Sequence, residues 1–314
     1  MPPTRQQMKD AMVRLYDESN KQNLSIFDEL LHPDFVSYGG AGFKDLYGAQ
    51  AFKELYESFL ATFPDLYFIV DDLIAEGNRC AVRGTLGGTH SGNFMGIAPP
   101  TGKKIQWTGI AVFAFDDAGK VTARWQEWDG MAVMQQLGVV PAPGGYQPRP
   151  PAPIPPTVVG GPTTSEAENK ATFKRFIEEV WNQSNLAVAD EIFHPGATSP
   201  SAPQLPTGAT GVRMIATMFR TAFPDFHMEF LDEPIADGDK IVARFQETGT
   251  HLGGLMGMPP TGKKVSFGEI GILRFAGGKV VESWYEVDML GMMGQLNPPA
   301  GSDSAAPAQS GARG

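Results

Sequence analysis

The chain is one unit written twice: residues 63–137 recur at 223–296 almost motif for motif. Phe63-Pro64-Asp65 returns as Phe223-Pro224-Asp225, and the Thr89-His90 pair as Thr250-His251. Pro99-Pro100-Thr101-Gly102-Lys103-Lys104 becomes Pro259-Pro260-Thr261-Gly262-Lys263-Lys264, and Gln136-Leu137 becomes Gln295-Leu296. The period, about 160 residues, far exceeds the roughly 20–50 residues of solenoid and propeller repeats. A unit of this length buries its own core, so the repeat implies two globular domains. The proposed division is domain 1 at 1–138, a linker at 139–164, domain 2 at 165–297 and a tail at 298–314. The linker is dense in proline, which favours extended polyproline-II geometry. The tail is Ala, Gly, Ser and Pro with almost no large apolar residue, a disordered composition.

Composition narrows the function. Hydrophobic content of 42% and charged content of 19% are those of a soluble globular protein. A net charge of −10, with only short basic pairs such as Lys103-Lys104, argues against nucleic-acid or anionic-membrane binding. Cys80 is the only cysteine, so no intrachain disulfide or thiolate cluster can form; its apolar strand context reads as a buried filler. The first residues lack an apolar signal core and no stretch has the length of a membrane span, so the expected location is cytoplasmic.

Each copy has the same inner order. Helical spacing covers 6–20 and 166–182, a short second helix covers 24–31 and 186–193, and a third covers 49–62 and 209–222, stopped by Pro64 and Pro224. The His32-Pro33 and His194-Pro195 pairs read as C-terminal closures of the second helices, with each His as a cap. Strand-like runs follow at 66–75, 79–90, 104–115 and 120–129, and at 226–236, 240–251, 264–275 and 279–288. Three helices followed by a meandering sheet is an α+β pattern, without the alternation of a doubly wound sheet.

These motifs, in this order, resemble the SnoaL-like polyketide cyclases (ester cyclases) of the NTF2-like cone fold. Trp181-Asn182-Gln183-Ser184-Asn185-Leu186, the Phe-Pro-Asp and Thr-His pairs, Pro-Pro-Thr-Gly-Lys, and the Trp-x-x-x-Asp of Trp125/Asp129 and Trp284/Asp288 carry the resemblance. It implies, for each copy, three helices packed on a curved antiparallel sheet around an apolar pocket. It also implies that the two copies pack as an intramolecular pseudo-dimer through their sheets. The implied activity is an intramolecular aldol condensation on a hydrophobic carbonyl compound, with no cofactor and no metal, using a pocket Asp as acid and base.

Asp129 and Asp288 stand at that family position. Residues two apart on a strand share a face, so Trp125, Glu127 and Asp129 point together, as do Trp284, Glu286 and Asp288. A carboxylate beside indole rings is desolvated and becomes a better general base. The same two residues also suit the N-cap of the helix that follows. Glu127 and Glu286 would share a proton with the Asp, or pair with Arg83 and Arg244. His90 and His251 suit proton transfer, or bind backbone at a strand end. Trp107, Phe267 and Tyr38 complete the expected substrate-binding set. Gly257 to Lys264 approaches a phosphate-loop pattern, but it lacks the hydroxyl residue after Lys263, carries two prolines and precedes a strand, so it is rejected. Two further readings use the same fold: an epoxide hydrolase, in which two carboxylates and an Arg hold a water, and a non-catalytic hydrophobic binding module. The copies differ where Gly109 faces Glu269, so their pockets need not be equivalent.

Overall fold

A computed structural model describes residues 2–39, 44–94, 96, 98–141 and 163–296. Most of the proposed linker and all of the proposed tail lie outside these residues. The first half contains α1 (Arg5–Asn20), α2 (Ser25–Leu30), β1 (Leu31–Tyr38), β2 (Leu46–Tyr47) and α3 (Ala49–Thr62). It continues with β3 (Tyr67–Glu76), β4 (Arg79–Thr89), β5 (Lys104–Phe115), β6 (Val121–Trp128) and α4 (Gly130–Leu137). The second half repeats this with α5 (Glu166–Arg175), which runs on as a π-helical segment Phe176–Asn182, then α6 (Val188–Ile192), β7 (Phe193–Thr198) and α7 (Gly208–Ala222). It ends with β8 (His227–Phe230), β9 (Ile235–Asp237), β10 (Lys240–Thr250), β11 (Lys264–Ala276), β12 (Lys279–Val287) and α8 (Met289–Leu296).

The sheets are ordered β2-β1-β6-β5-β4-β3 and β7-β12-β11-β10-β8, with β9 also on β10. Two elements differ from expectation. The chain that carries each His-Pro is a strand, β1 or β7, which pairs in parallel with the last strand of its sheet. Its proline and irregular register hide the alternation that would announce it. The run expected at 226–236 is interrupted and forms two short strands. His32 and His194 do not cap helices: each ring Nδ1 accepts from a backbone N–H two residues on, Asp34 and Gly196, at 3.1 Å.

The motifs common to both halves tie the fold together. Asp65 accepts from the backbone N–H and hydroxyl of Thr89 at 2.5 and 2.7 Å, and Asp225 does the same with Thr250 at 2.6 and 2.6 Å. The Gln136 and Gln295 side chains hold the final helices on the sheets by pairing with the backbones of Gln106 and Ser266. Thr4 and Ser165 each close a reciprocal capping box at the start of α1 and α5. Cys80 is buried and its thiol is pushed up to about 12, as expected of a filler.

The halves pack sheet against sheet. Ile74, Ile110 and Val112 of the first meet Val242, Ile270, Ile272 and Trp284 of the second. The contact is reciprocal: Arg83 lies over the Trp284 ring at 5.0 Å and Arg244 over Trp125 at 4.1 Å. Its rim carries ion pairs between the halves, Lys240–Asp72 at 2.8 Å and Lys170–Glu76 at 2.6 Å. A side chain at Gly268 would collide with the Glu127 carboxylate of the other half, so glycine permits this approach. With the outer faces thus covered, each concave face is left to enclose its own cavity under the helices.

Candidate functional site

The two cavities differ in chemistry. The first, about 200 Å³, is walled by aromatic residues including Phe27, Phe52, Trp107 and Trp128, with Tyr38 near Gly39 and Lys44. Its polar side chains on β6 are Arg124 and Gln126. The second, about 290 Å³, is roofed by Phe176, Trp181, Val212, Ile215 and Phe219 and floored by Glu247, Glu269, Ser283 and Tyr285.

Strand alternation places the second set. Phe245 and Glu247 on β10 share the concave face with Phe267, Glu269 and Gly271 on β11. Register sets Glu247 opposite Phe267 and Glu269 opposite Phe245, so the two glutamates form a diagonal cross-strand pair. They are 2% and 9% exposed. Buried side by side on neighbouring strands, the two carboxyl groups act on each other directly, and Glu247 Oε1 has no hydrogen-bond partner among the described residues. Burial pushes Glu269 up to about 7, and burial together with the charge of Glu269 holds Glu247 well above the usual carboxylate range. Both carboxyls are thus held above the usual carboxylate range, and a charge on one disfavours a charge on the other. Gly271, opposite Tyr285, leaves room for that ring and for the Glu269 carboxyl. Burial and the neighbouring Glu269 raise the Tyr285 phenol, which is held as a neutral donor.

The expected site residues fall elsewhere in part. Trp125, Glu127, Trp284 and Glu286 do share faces with their neighbours, but those faces turn toward the other half. Trp125 and Trp284 pack between the sheets. Glu127 is held well above its usual range by burial, then by Asp288, Glu286 and Glu269. Neither glutamate pairs with the expected arginine, because Arg83 is matched to Asp71 at 3.5 Å and Arg244 to Asp232 at 2.8 Å. Glu286 accepts from the Thr108 hydroxyl across the interface at 2.6 Å and also borders the second cavity.

Asp129 accepts from the backbone of Ala132 at 2.9 Å, and Asp288 from Gly291 at 2.7 Å, as N-caps of the last helices. Asp129 also reaches the wall of the second cavity, across the interface from its own half. His90 and His251 are fully buried outside both cavities; each Nδ1 accepts from the backbone of Thr101 or Thr261 at 3.2 or 3.3 Å, fixing the following turn. Burial lowers the His90 pKa, which favours this neutral role. Phe267 is buried in the second core. Trp107 and Tyr38 line the first cavity as expected, with Tyr38 stacked on Trp125 at 5.2 Å between ring centres.

Sequence reasoning did not single out Glu247 or Arg124. The signal was present in the alternation: Ile241, Ala243, Phe245 and Glu247 occupy one core-facing row, so a carboxylate there is buried by position. An Arg together with two carboxylates, as an epoxide hydrolase would need, is assembled in neither cavity among the described residues. The acids line one and Arg124 the other.

A curved sheet closed by helices over an apolar cavity, present twice, defines a tandem pair of NTF2-like cone domains. The chain belongs to the SnoaL-like polyketide cyclase family, whose model matches residues 10–137 and 171–296. Among solved structures, AclR of Streptomyces galilaeus, a suggested hydroxylase, is 30% identical, covering 44% of this chain and 100% of its own with a TM-score of 0.40. IdmH of Streptomyces antibioticus, a suggested polyketide cyclase, is 29% identical over 42% and 98% with a TM-score of 0.38. A suggested SnoaL-like polyketide cyclase from Jannaschia sp. CCS1 is 24% identical over 45% and 98% with a TM-score of 0.41. No curated protein matched the chain. Among the described residues no helix is long and apolar enough to cross a membrane.

Proposed function

We propose that the second cavity closes a ring on an apolar carbonyl compound by intramolecular aldol addition, with Glu269 as base and Glu247 as acid. The observation that carries this reading is the diagonal Glu247–Glu269 pair buried beneath an apolar roof. Membership of a cyclase family is consistent with it. Glu269, ionised near neutrality, takes the proton alpha to one carbonyl, and Tyr285, which lines the cavity, donates its phenol O–H to the enolate oxygen. The enolate carbon attacks the second carbonyl carbon, and the new alkoxide takes the proton of Glu247. Transfer of the abstracted proton from Glu269 to Glu247 restores both. The net change is an isomerisation, so no atom or electron is gained or lost. The apolar roof excludes water and keeps the pair poised near pH 7.

The first half-reaction can be tested without the native substrate. Deuterium uptake alpha to the carbonyl of 2-tetralone in D2O, followed by NMR, reads proton abstraction directly. Wild-type protein accelerates exchange, and Glu269→Gln lowers the acceleration by about 10²–10⁴-fold, the usual contribution of a positioned base. Exchange at the wild-type rate in Glu269→Gln would rule out this base.

A further inference from the structure

Arg124 of β6 faces the first cavity without a counter-charge. Its Nη1 donates to the Ser37 hydroxyl at 3.1 Å, and its guanidinium lies over the Phe52 ring at 5.1 Å. Among the described residues no carboxylate lies within ion-pair distance of it. Comparable arginines in this chain are matched: Arg83 by Asp71, Arg244 by Asp232, and Arg274 by Glu282 at 2.6 Å. Arg220 lacks a carboxylate but spends its donors on the backbone carbonyls of Trp181, Asn182, Pro224 and Phe226. Arg124 has five N–H donors to place, and burial lowers its pKa to about 10. A half-buried cation without a counter-charge is costly, and a ligand anion lowers that cost.

The cavity around it has the complementary shape. At about 200 Å³ it is larger than engineered apolar cavities of about 150 Å³ that admit benzene. Gln126, two residues along the same strand, adds an amide to the same wall. In the second half the positions of Arg124, Leu86 and Gly109 are held by Ser283, Glu247 and Glu269, so the charge preference is reversed. We propose that the first cone is a separate binding site for an apolar carboxylate, its acid group paired bidentately with Arg124 and its hydrocarbon body against the aromatic wall. The second cone, holding acids, disfavours the same anion. This inference does not depend on the reaction assigned to the second cone.

The test uses the full chain and 2-naphthoate as the probe, with 2-naphthamide as its uncharged counterpart. Calorimetric titration gives one saturable site for the acid and binding roughly ten- to hundred-fold weaker for the amide. Arg124→Met weakens the acid by a similar factor, while Glu269→Gln leaves it unchanged. In the wild type, independent of any variant's folding, the indole N–H signals of Trp107 and Trp128 shift on titration and that of Trp181 does not. Equal binding of acid and amide, absence of saturable acid binding, or a shift confined to Trp181 would each overturn the assignment.

Discussion

Replacing Glu269 by Gln removes a titrating group from the second core, and the consequence for stability can be worked from its pKa. In an unfolded chain this carboxyl titrates near 4.5; in the folded protein burial raises it to about 7. The neutral form is thus preferred by the fold. The stability it confers is fully present below pH 4.5 and is lost as pH rises through about 7, where the folded state must carry a buried charge. At about 1.4 kcal/mol per pH unit, that displacement is worth about 3 kcal/mol, shared with Glu247 because the two titrate together. Glutamine keeps the shape without the charge. Urea unfolding followed by circular dichroism at pH 4.5 and pH 8 therefore has a defined outcome: Glu269→Gln gains about 3 kcal/mol over wild type on going from the lower to the higher pH. Contributions of titrating groups that do not feel Glu269 cancel in this difference, while Glu247 and Glu127, which its charge raises, add to the gain in the same direction. Parallel pH profiles for the two proteins would refute the placement of a raised carboxyl at this position.

Three further outcomes follow from the same contacts. Catalysed deuterium exchange rises as pH approaches and passes 7, opposite in direction to stability, because the base must ionise; a pH-independent rate would contradict this. Trp284→Ala, which empties a buried site between the sheets, costs about 3–5 kcal/mol in denaturant unfolding. Asp288→Ala removes a side-chain cap at a cost of about 1 kcal/mol, while Asp288→Asn retains both the cap and the exchange activity. Loss of exchange in Asp288→Asn would return that residue to the chemistry.

The repeat made the architecture legible but left the acids of the second cavity out of view for one physical reason. Of the residues retained in both halves, Asp65, Thr89, His90 and Gln136 fasten turns, strands and helices to one another. A cone fold needs those fastenings wherever it occurs, so duplication preserves them. The cavity residues Glu247, Glu269, Tyr285 and Arg124 stand where the halves differ, facing Leu86, Gly109, Gln126 and Ser283 in the comparison. The contrast at Gly109 and Glu269 was visible in the sequence, but its partner Glu247 was not connected to it, because the cross-strand diagonal depends on register. Direction was equally hidden: alternation places Trp125 and Glu127 on one face without saying whether that face meets the cavity or the other half. β1 and β7 escaped because a short strand containing proline and pairing in parallel at long range leaves no local signature.

The central claim is that Glu247 and Glu269 hold one proton between them in the second cone. Carbon-13 NMR of glutamate-labelled protein, titrated from acid to alkaline pH, measures this directly once Glu247→Gln and Glu269→Gln have assigned the two side-chain carboxyl signals. One carboxyl is expected to titrate near 7 while the other remains protonated well above the usual carboxylate range. Two independent titrations near the ordinary glutamate value of about 4.3 would contradict it.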